Sequence, residues 1–253
     1  MIERNRMIIA GPCAAESRNQ VLKSAHMAKE RGIDIVRASL WKPRTKPGFE
    51  GVGEQGIEWL EEVAQLGLVP ATEVLNENNA QQVIDRIAGV LGRDVLVWIG
   101  SRNQNHPIQR HIGEIVSGEK RARVLIKNQP WQDLSHWLGI IDHVVSGGAD
   151  PSQIILCHRG FSPGTNGLRN NPDFEMAMRV KVETGLPMLI DPSHMGGTRK
   201  RVLEIIEQAQ NFRIGEIDFD GLMIEVHPNP DEAITDKLQQ LTWEQFDRAV
   251  RKD

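Results

Sequence analysis

The stretch KPRTK at 42–46 sets Lys42, Arg44 and Lys46 among Pro43 and Thr45, soon after the apolar run IDIVRAS at 33–39. Cations gathered at the mouth of a hydrophobic strand await an anion. Other apolar runs close in the same way: Arg37 ends its run, Arg102 follows VLVWIG, Lys127 closes RVLIKN, and Arg159 closes IILCHRG. A guanidinium fork binds phosphate or carboxylate bidentately, and an ammonium adds a point charge. Taken singly, each of these groups reads as a solvated or ion-paired surface residue. Taken together, Arg37, Lys42, Arg44, Arg102, Lys127 and Arg159 imply a ligand, or ligands, with several negative charges.

A second set mixes a thiol, an imidazole and two carboxylates: Cys13, His194, Glu225 and Asp236. Those donor types suit a divalent first-row metal. No local motif joins them, so their types leave alternatives open. Cys13 reads equally as a small buried hydrophobe, His194 as a hydrogen-bonded loop residue, and Asp236 as the cap of a short turn in TDKL. His227, in IEVHPNP, competes with His194 and ranks below it. Cys157 is expected to pack. His106, His111, His136 and His143 fall in helix-like stretches and read as structural or exposed. Gly196–Gly197 offers either a tight turn or backbone N–H groups for an anion. The glycine pairs at 147–148 and 196–197 lack the lysine spacing of a phosphate loop.

These residues need elements to position them. Short apolar runs at 7–14, 33–39, 68–74, 95–100, 123–128, 154–160, 187–193 and 221–227 alternate with helix-like segments. The runs are β-branched and apolar on both faces, as a buried parallel sheet demands. Eight strand–helix units in 253 residues predict a (β/α)₈ TIM barrel, class α/β, with a doubly wound open sheet as runner-up. In such a barrel the chemistry lies at the C-terminal ends of the strands. Those ends are where Cys13, Arg37, Glu73, Gly100, Ser101, Arg102, Lys127, His158, Arg159, Asp191, His194, Glu225 and His227 fall. A net charge of −4 excludes a general affinity for nucleic acid or for anionic membranes. No apolar run approaches the roughly 20 residues of a membrane span. Two cysteines and no signal-peptide pattern point to a reduced, cytoplasmic protein.

The motifs GPCAAES, VRASLWKPRT, ATEVL, IGSRNQN, VLIKN, CHRG, DPSHMGG and IEVHPNPDEAITD, in that order from about residue 7 to the end, resemble the metal-dependent type I DAHP (3-deoxy-D-arabino-heptulosonate 7-phosphate) synthases. Within that family they look closest to the subgroup near the KDO8P (3-deoxy-D-manno-octulosonate 8-phosphate) synthases. The resemblance implies a TIM barrel that condenses phosphoenolpyruvate with erythrose 4-phosphate, the first step of the shikimate pathway. It implies one divalent metal ion, Mn²⁺ first, with Co²⁺, Zn²⁺ and Fe²⁺ also suited, held by Cys13, His194, Glu225 and Asp236. Arg37, Lys42, Arg102, Lys127 and Arg159, with Glu73 and the Gly100–Ser101 backbone, match the phosphoenolpyruvate site. Lys42, Pro43, Arg44 and Thr45 match the grip on erythrose 4-phosphate. Catalytic roles are implied for Lys42, His194 and Asp236, with Lys42 as proton donor.

The KPRT element argues against the sister activity on arabinose 5-phosphate, whose enzymes carry a KANRSS-like stretch there. Two positions depart from the commoner pattern: Ser101 stands where alanine is frequent, and His158 where glutamate is frequent. Both are expected to adjust phosphate contacts. The resemblance further implies a homo-oligomer and a single catalytic domain over 1–253, with no N-terminal regulatory extension. In some members of the subgroup a chorismate mutase domain follows the barrel, and this chain is read as either complete or the catalytic part of such a fusion.

Overall fold

The computed structural model describes residues 6–43 and 48–250; Arg44 and Thr45, both expected in the sugar phosphate grip, lie outside the described residues. Eight strands run in chain order: β1 Met7–Gly11, β2 Ile35–Arg37, β3 Val69–Val74, β4 Val95–Ile99, β5 Ala122–Lys127, β6 Ile154–His158, β7 Met188–Ile190 and β8 Gly221–Glu225. All neighbours pair in parallel, and β8 returns to β1 through Met7↔Gly221 to Gly11↔Glu225, so the sheet closes. Closure removes the open-sheet alternative and leaves no unpaired edge.

The helices on the outside are α1 Arg18–Lys29, α2 Ile57–Gln65, α3 Glu77–Ile84, α4 His106–Ser117, α5 Leu134–Ser146, α6 Phe174–Thr184, α7 Pro192–Gly196, α8 Arg199–Asn211 and α9 Trp243–Val250. Their starts are chemically marked. Ser17, Asn76, Asn105, Asp133 and Asp173 each accept a backbone N–H of the first turn, which satisfies donors that the helix itself cannot. Gly185, in the left-handed region at φ 68°, stops α6. Helix α7 departs from the expected pattern, which carries the seventh strand on to residue 193. Asp191 accepts the N–H of His194 and Pro192 occupies the first turn, so the chain turns helical two residues early. Five residues are too few to show a helical period.

The strands divide the apolar residues between two layers. Ile9, Ile35, Ala71, Leu96, Trp98, Leu125, Ile155, Cys157, Leu189 and Met223 fill the barrel interior. Ala10, Val36, Val97, Ile126, Leu156, Ile190 and Ile224 face outward under the helices. The alternation is the period of two of a β-strand. Trp137, fully buried in the outer layer, illustrates its worth: truncation to Ala is expected to cost about 3–5 kcal/mol.

Candidate active site

The same period of two builds the site. Extend each inward-facing row by one step, and the next inward residue is polar, small or charged: Arg37 after Ile35, Glu73 after Ala71, Gly100 after Trp98, Lys127 after Leu125, Arg159 after Cys157, Asp191 after Leu189, and Glu225 after Met223. Cys13 lies two inward steps beyond Ile9. The apolar plug therefore carries a ring of functional side chains on its C-terminal rim. A cavity of about 400 Å³ opens there, lined by Arg37, Lys42, Pro43, Glu73, Trp98, Gly100, Ser101, Arg102, Lys127, Arg159, Arg169, His194, Thr235 and Asp236.

One side of the site gathers metal-type donors. Ligand atoms of Cys13, Glu225 and Asp236 all lie within 4.8 Å of one another. Cys13 Sγ is 3.4 Å from Asp236 Oδ2. His194 joins through Nε2, 3.8 Å from Glu225 Oε1. The other ring nitrogen, Nδ1, lies 2.8 Å from Asp191 Oδ2. A proton on Nδ1 facing that carboxylate leaves Nε2 as the free donor, the arrangement that orients a metal-binding imidazole. Burial pushes His194 down to about 4, against the pull of Asp191 and Glu225, so the ring is neutral at physiological pH. Burial pushes the Cys13 thiol up to about 12, and the Glu225 charge adds to this. The proton on sulfur must therefore leave when a cation is bound. Burial pushes Asp236 up, but Arg169, His194, Lys42 and the Cys13 hydrogen bond together hold it low, at about 2. A soft thiol, a neutral imidazole and two ionised carboxylates within one ion's reach fit a divalent transition metal.

The other side is cationic. Arg37 is 1% exposed, pairs with Glu225 Oε1 at 3.1 Å, and lies over the Trp98 ring at 5.0 Å. Its Nη1 is buried without a hydrogen-bond partner. A buried guanidinium nitrogen left unpaired is costly unless something supplies an acceptor. Lys127 bonds Asp191 Oδ2 at 2.6 Å and also faces Trp98. Lys42 Nζ reaches Cys13 Sγ at 3.2 Å. Burial opposes its charge, but Cys13, Glu73, Glu225 and Asp236 together raise its pKa, so it remains an ammonium. Arg102, exposed at the rim, donates to the carbonyl of Pro43 at 2.8 Å and ties the basic loop to the end of β4. Burial pulls Arg159 down to about 10, with the repulsion of Arg169 and Arg102 adding to it. It is still charged at neutral pH and is a strong site for an anion. Gly100 leaves room for the Glu73 carboxylate, since a Cβ there would come 1.9 Å from Oε1 and the end of that side chain would have to swing aside.

Of the residues expected from sequence, Cys13, Arg37, Lys42, Pro43, Glu73, Gly100, Ser101, Arg102, Lys127, Arg159, His194, Glu225 and Asp236 come together at this mouth. Asp236 does not cap a helix. It sits in a turn at φ 47°, with its carbonyl accepting the N–H of Gln239. His227 turns away, with Nε2 3.7 Å from Glu16 Oε2 and Nδ1 accepting the N–H of Asn229. Cys157 packs inside the barrel. Gly197 takes the tight-turn reading, at φ 70°. His158, expected to adjust phosphate contacts, does not line the cavity. It is an even-numbered residue of β6, so the pleat turns it outward, against Trp137 and Phe161. Sequence reasoning missed Arg169, Trp98 and Thr235. Trp98 was detectable as the inward residue two before Gly100. Arg169 sits in the long loop between β6 and α6, and no periodicity aims it inward.

Comparison with known proteins agrees with this geometry. Residues 3–253 match the DAHP synthetase I family. Phospho-2-dehydro-3-deoxyheptonate aldolase of Thermotoga maritima is 33% identical over 248 residues, covering 97% of this chain and 68% of that protein. The 2-dehydro-3-deoxyphosphooctonate aldolase of Francisella tularensis subsp. holarctica is 26% identical, covering 90% and 83%. The crystal structure of the Thermotoga maritima DAHP synthase superimposes with a TM-score of 0.84, at 33% identity, covering 97% of this chain and 67% of that one. A truncated form of the 3-deoxy-D-arabino-heptulosonate 7-phosphate synthase from the same organism gives a TM-score of 0.80 at 30% identity.

Proposed function

Because the chain belongs to the DAHP synthetase I family, we propose that its barrel condenses phosphoenolpyruvate with erythrose 4-phosphate and water, yielding DAHP and inorganic phosphate at the head of the shikimate pathway. The observation that carries this reading is the adjacency of two sets in one cavity. Cys13, His194, Glu225 and Asp236 sit beside Arg37, Lys42, Arg102, Lys127 and Arg159. Two polyanions must be held together for carbon–carbon bond formation, and their mutual repulsion explains the number of cations.

Arg102, Lys127 and Arg159 hold the phosphate of phosphoenolpyruvate, and the unpartnered Nη1 of Arg37 supplies a further donor to that substrate. Lys42 lies between the two sets and, with Pro43, grips the sugar phosphate. Cys13, His194, Glu225 and Asp236 would hold a divalent ion, Mn²⁺ in our assignment, whose chemistry there would be Lewis acidity toward the aldehyde. C3 of phosphoenolpyruvate forms the new bond to the aldehyde carbon. Lys42, an ammonium by its surroundings, donates its proton to the oxygen that becomes the hydroxyl. Water adds at C2 and gives up one proton, which restores the Lys42 ammonium; the C2–O bond to phosphate then breaks as the C2 carbonyl forms, and the second proton leaves with phosphate. Trp98 floors the cavity beneath Arg37 and Lys127, an apolar surface against which both charges act more strongly than in water.

The octonate-named relative gives a second reading, in which the aldehyde is arabinose 5-phosphate. One assay separates the two. Metal-stripped protein is given phosphoenolpyruvate with either aldehyde, before and after Mn²⁺ is added. Mn²⁺-dependent loss of phosphoenolpyruvate with erythrose 4-phosphate alone is expected. Loss with arabinose 5-phosphate alone would transfer the assignment to the sister reaction.

A further inference from the structure

Arg169 differs from the other cations of the cavity in what it touches. Its Nη1 lies 3.2 Å from Asp236 Oδ1 and donates to Gln239 Oε1 at 2.6 Å. Gln239 is buried, and its Nε2 donates to Glu225 Oε2 at 2.7 Å. A carboxamide has one accepting end and one donating end. With Oε1 engaged by the guanidinium, the amide must present its N–H₂ to Glu225. One guanidinium therefore fixes Asp236 directly and Glu225 through an oriented amide. The opposite oxygen of each carboxylate is left for the centre of the site: Asp236 Oδ2 faces Cys13 Sγ, and Glu225 Oε1 faces Arg37 and His194.

Arg169 is itself braced. Its backbone N–H donates to the carbonyl of Met195 at 2.9 Å, in the short helix that carries His194. Gly197 lies so close that a Cβ there would come 2.8 Å from Arg169 Cβ. Asp236, at φ 47°, holds a backbone conformation that a non-glycine residue keeps only when its surroundings impose it.

We infer that Arg169, acting through Asp236 and through Gln239, is a positioning residue that holds the two carboxylates of the centre in register for a divalent cation. The inference rests on the metal reading above. Its sign is opposite to that of simple electrostatics. A positive charge beside Asp236 opposes an arriving dication, so on charge alone its removal would tighten binding. A positioning role predicts that removal weakens binding, by the roughly 10–100-fold typical of groups that orient metal ligands.

The test is calorimetric titration of metal-stripped protein with Mn²⁺, using the wild type, Arg169→Met, Gln239→Met and the double variant, with folding checked by circular dichroism. Both single variants are expected to bind about 10–100-fold more weakly, and the double variant no more weakly than the worse single one, because the two side chains act as one unit. Gln239→Met leaves every charge in place and tests the relay even where Arg169→Met is poorly folded. Unchanged or tighter binding by Arg169→Met would overturn the inference, as would strictly additive losses. A wild type that binds no Mn²⁺ would instead overturn the metal reading and take this inference with it.

Discussion

Acid sensitivity follows from His158. The ring is fully buried. It stacks on Trp137 at 5.3 Å and tilts against Phe161 at 5.2 Å. Nε2 accepts the N–H of Asp173 at 2.9 Å, and Nδ1 lies 3.3 Å from Asn128 Oδ1. An accepting Nε2 leaves the proton on Nδ1, so the folded protein holds a neutral imidazole. Burial pushes its pKa from 6.5 down to about 3, and the Arg159 charge adds to this. A depressed folded-state pKa means that the unfolded chain binds the proton first. The contribution to stability is complete above 6.5 and is lost as pH falls from there towards 3. At about 1.4 kcal/mol per pH unit, the part lost between pH 7 and pH 5 is roughly 2 kcal/mol. His158→Gln keeps an acceptor for Asp173 and cannot titrate. Guanidinium chloride unfolding of both proteins at pH 7 and pH 5 isolates the effect, since every other titrating group is common to both. The wild type is expected to lose about 2 kcal/mol more than the variant between the two pH values. Equal losses would refute a neutral, buried His158.

Three further outcomes are expected. Lys42→Met should lower kcat by about 10²–10⁴-fold, the range of a lost general acid, with Tm nearly unchanged; a kcat within a few-fold of wild type would remove Lys42 from proton donation. Gly100→Ala pushes the movable end of the Glu73 side chain aside and should cost about 1 kcal/mol by thermal denaturation, the low end for an overpacked site. Adding Glu73→Ala should restore that loss, and a deficit that persists in the double variant would contradict the clash. Cys13→Ala should retain less Mn²⁺ after dialysis than wild type, and equal retention would exclude the thiol as a ligand.

Much of the barrel and its rim could be read from the sequence because a strand has a period of two. Leu96, Trp98 and Gly100 face inward in turn, as do Ile155, Cys157 and Arg159. The residue that closes each inward row is the one the site uses. The same rule sends His158 outward, against Trp137 and Phe161 and away from the phosphate contacts expected of it. Arg169 and Asp236 lie beyond periodicity. One sits in a long loop pinned by the Met195 carbonyl, the other in a turn at positive φ held by the Gln239 N–H. Such positions are fixed by tertiary hydrogen bonds that no local pattern encodes. Gln239 and Gln240 were invisible for the same reason. Their amides tie Glu225 and the Cys13 N–H across more than two hundred residues of chain in the latter case.

In the proposed reaction one metal ion and phosphoenolpyruvate share this barrel mouth. The most direct measurement is anomalous diffraction from crystals of metal-stripped protein soaked with Mn²⁺ and phosphoenolpyruvate. An anomalous peak is expected within bonding range of Cys13, His194, Glu225 and Asp236, with the substrate phosphate against Arg102, Lys127 and Arg159. Mn²⁺ bound away from those four side chains, or phosphoenolpyruvate bound away from those three cations, would contradict it.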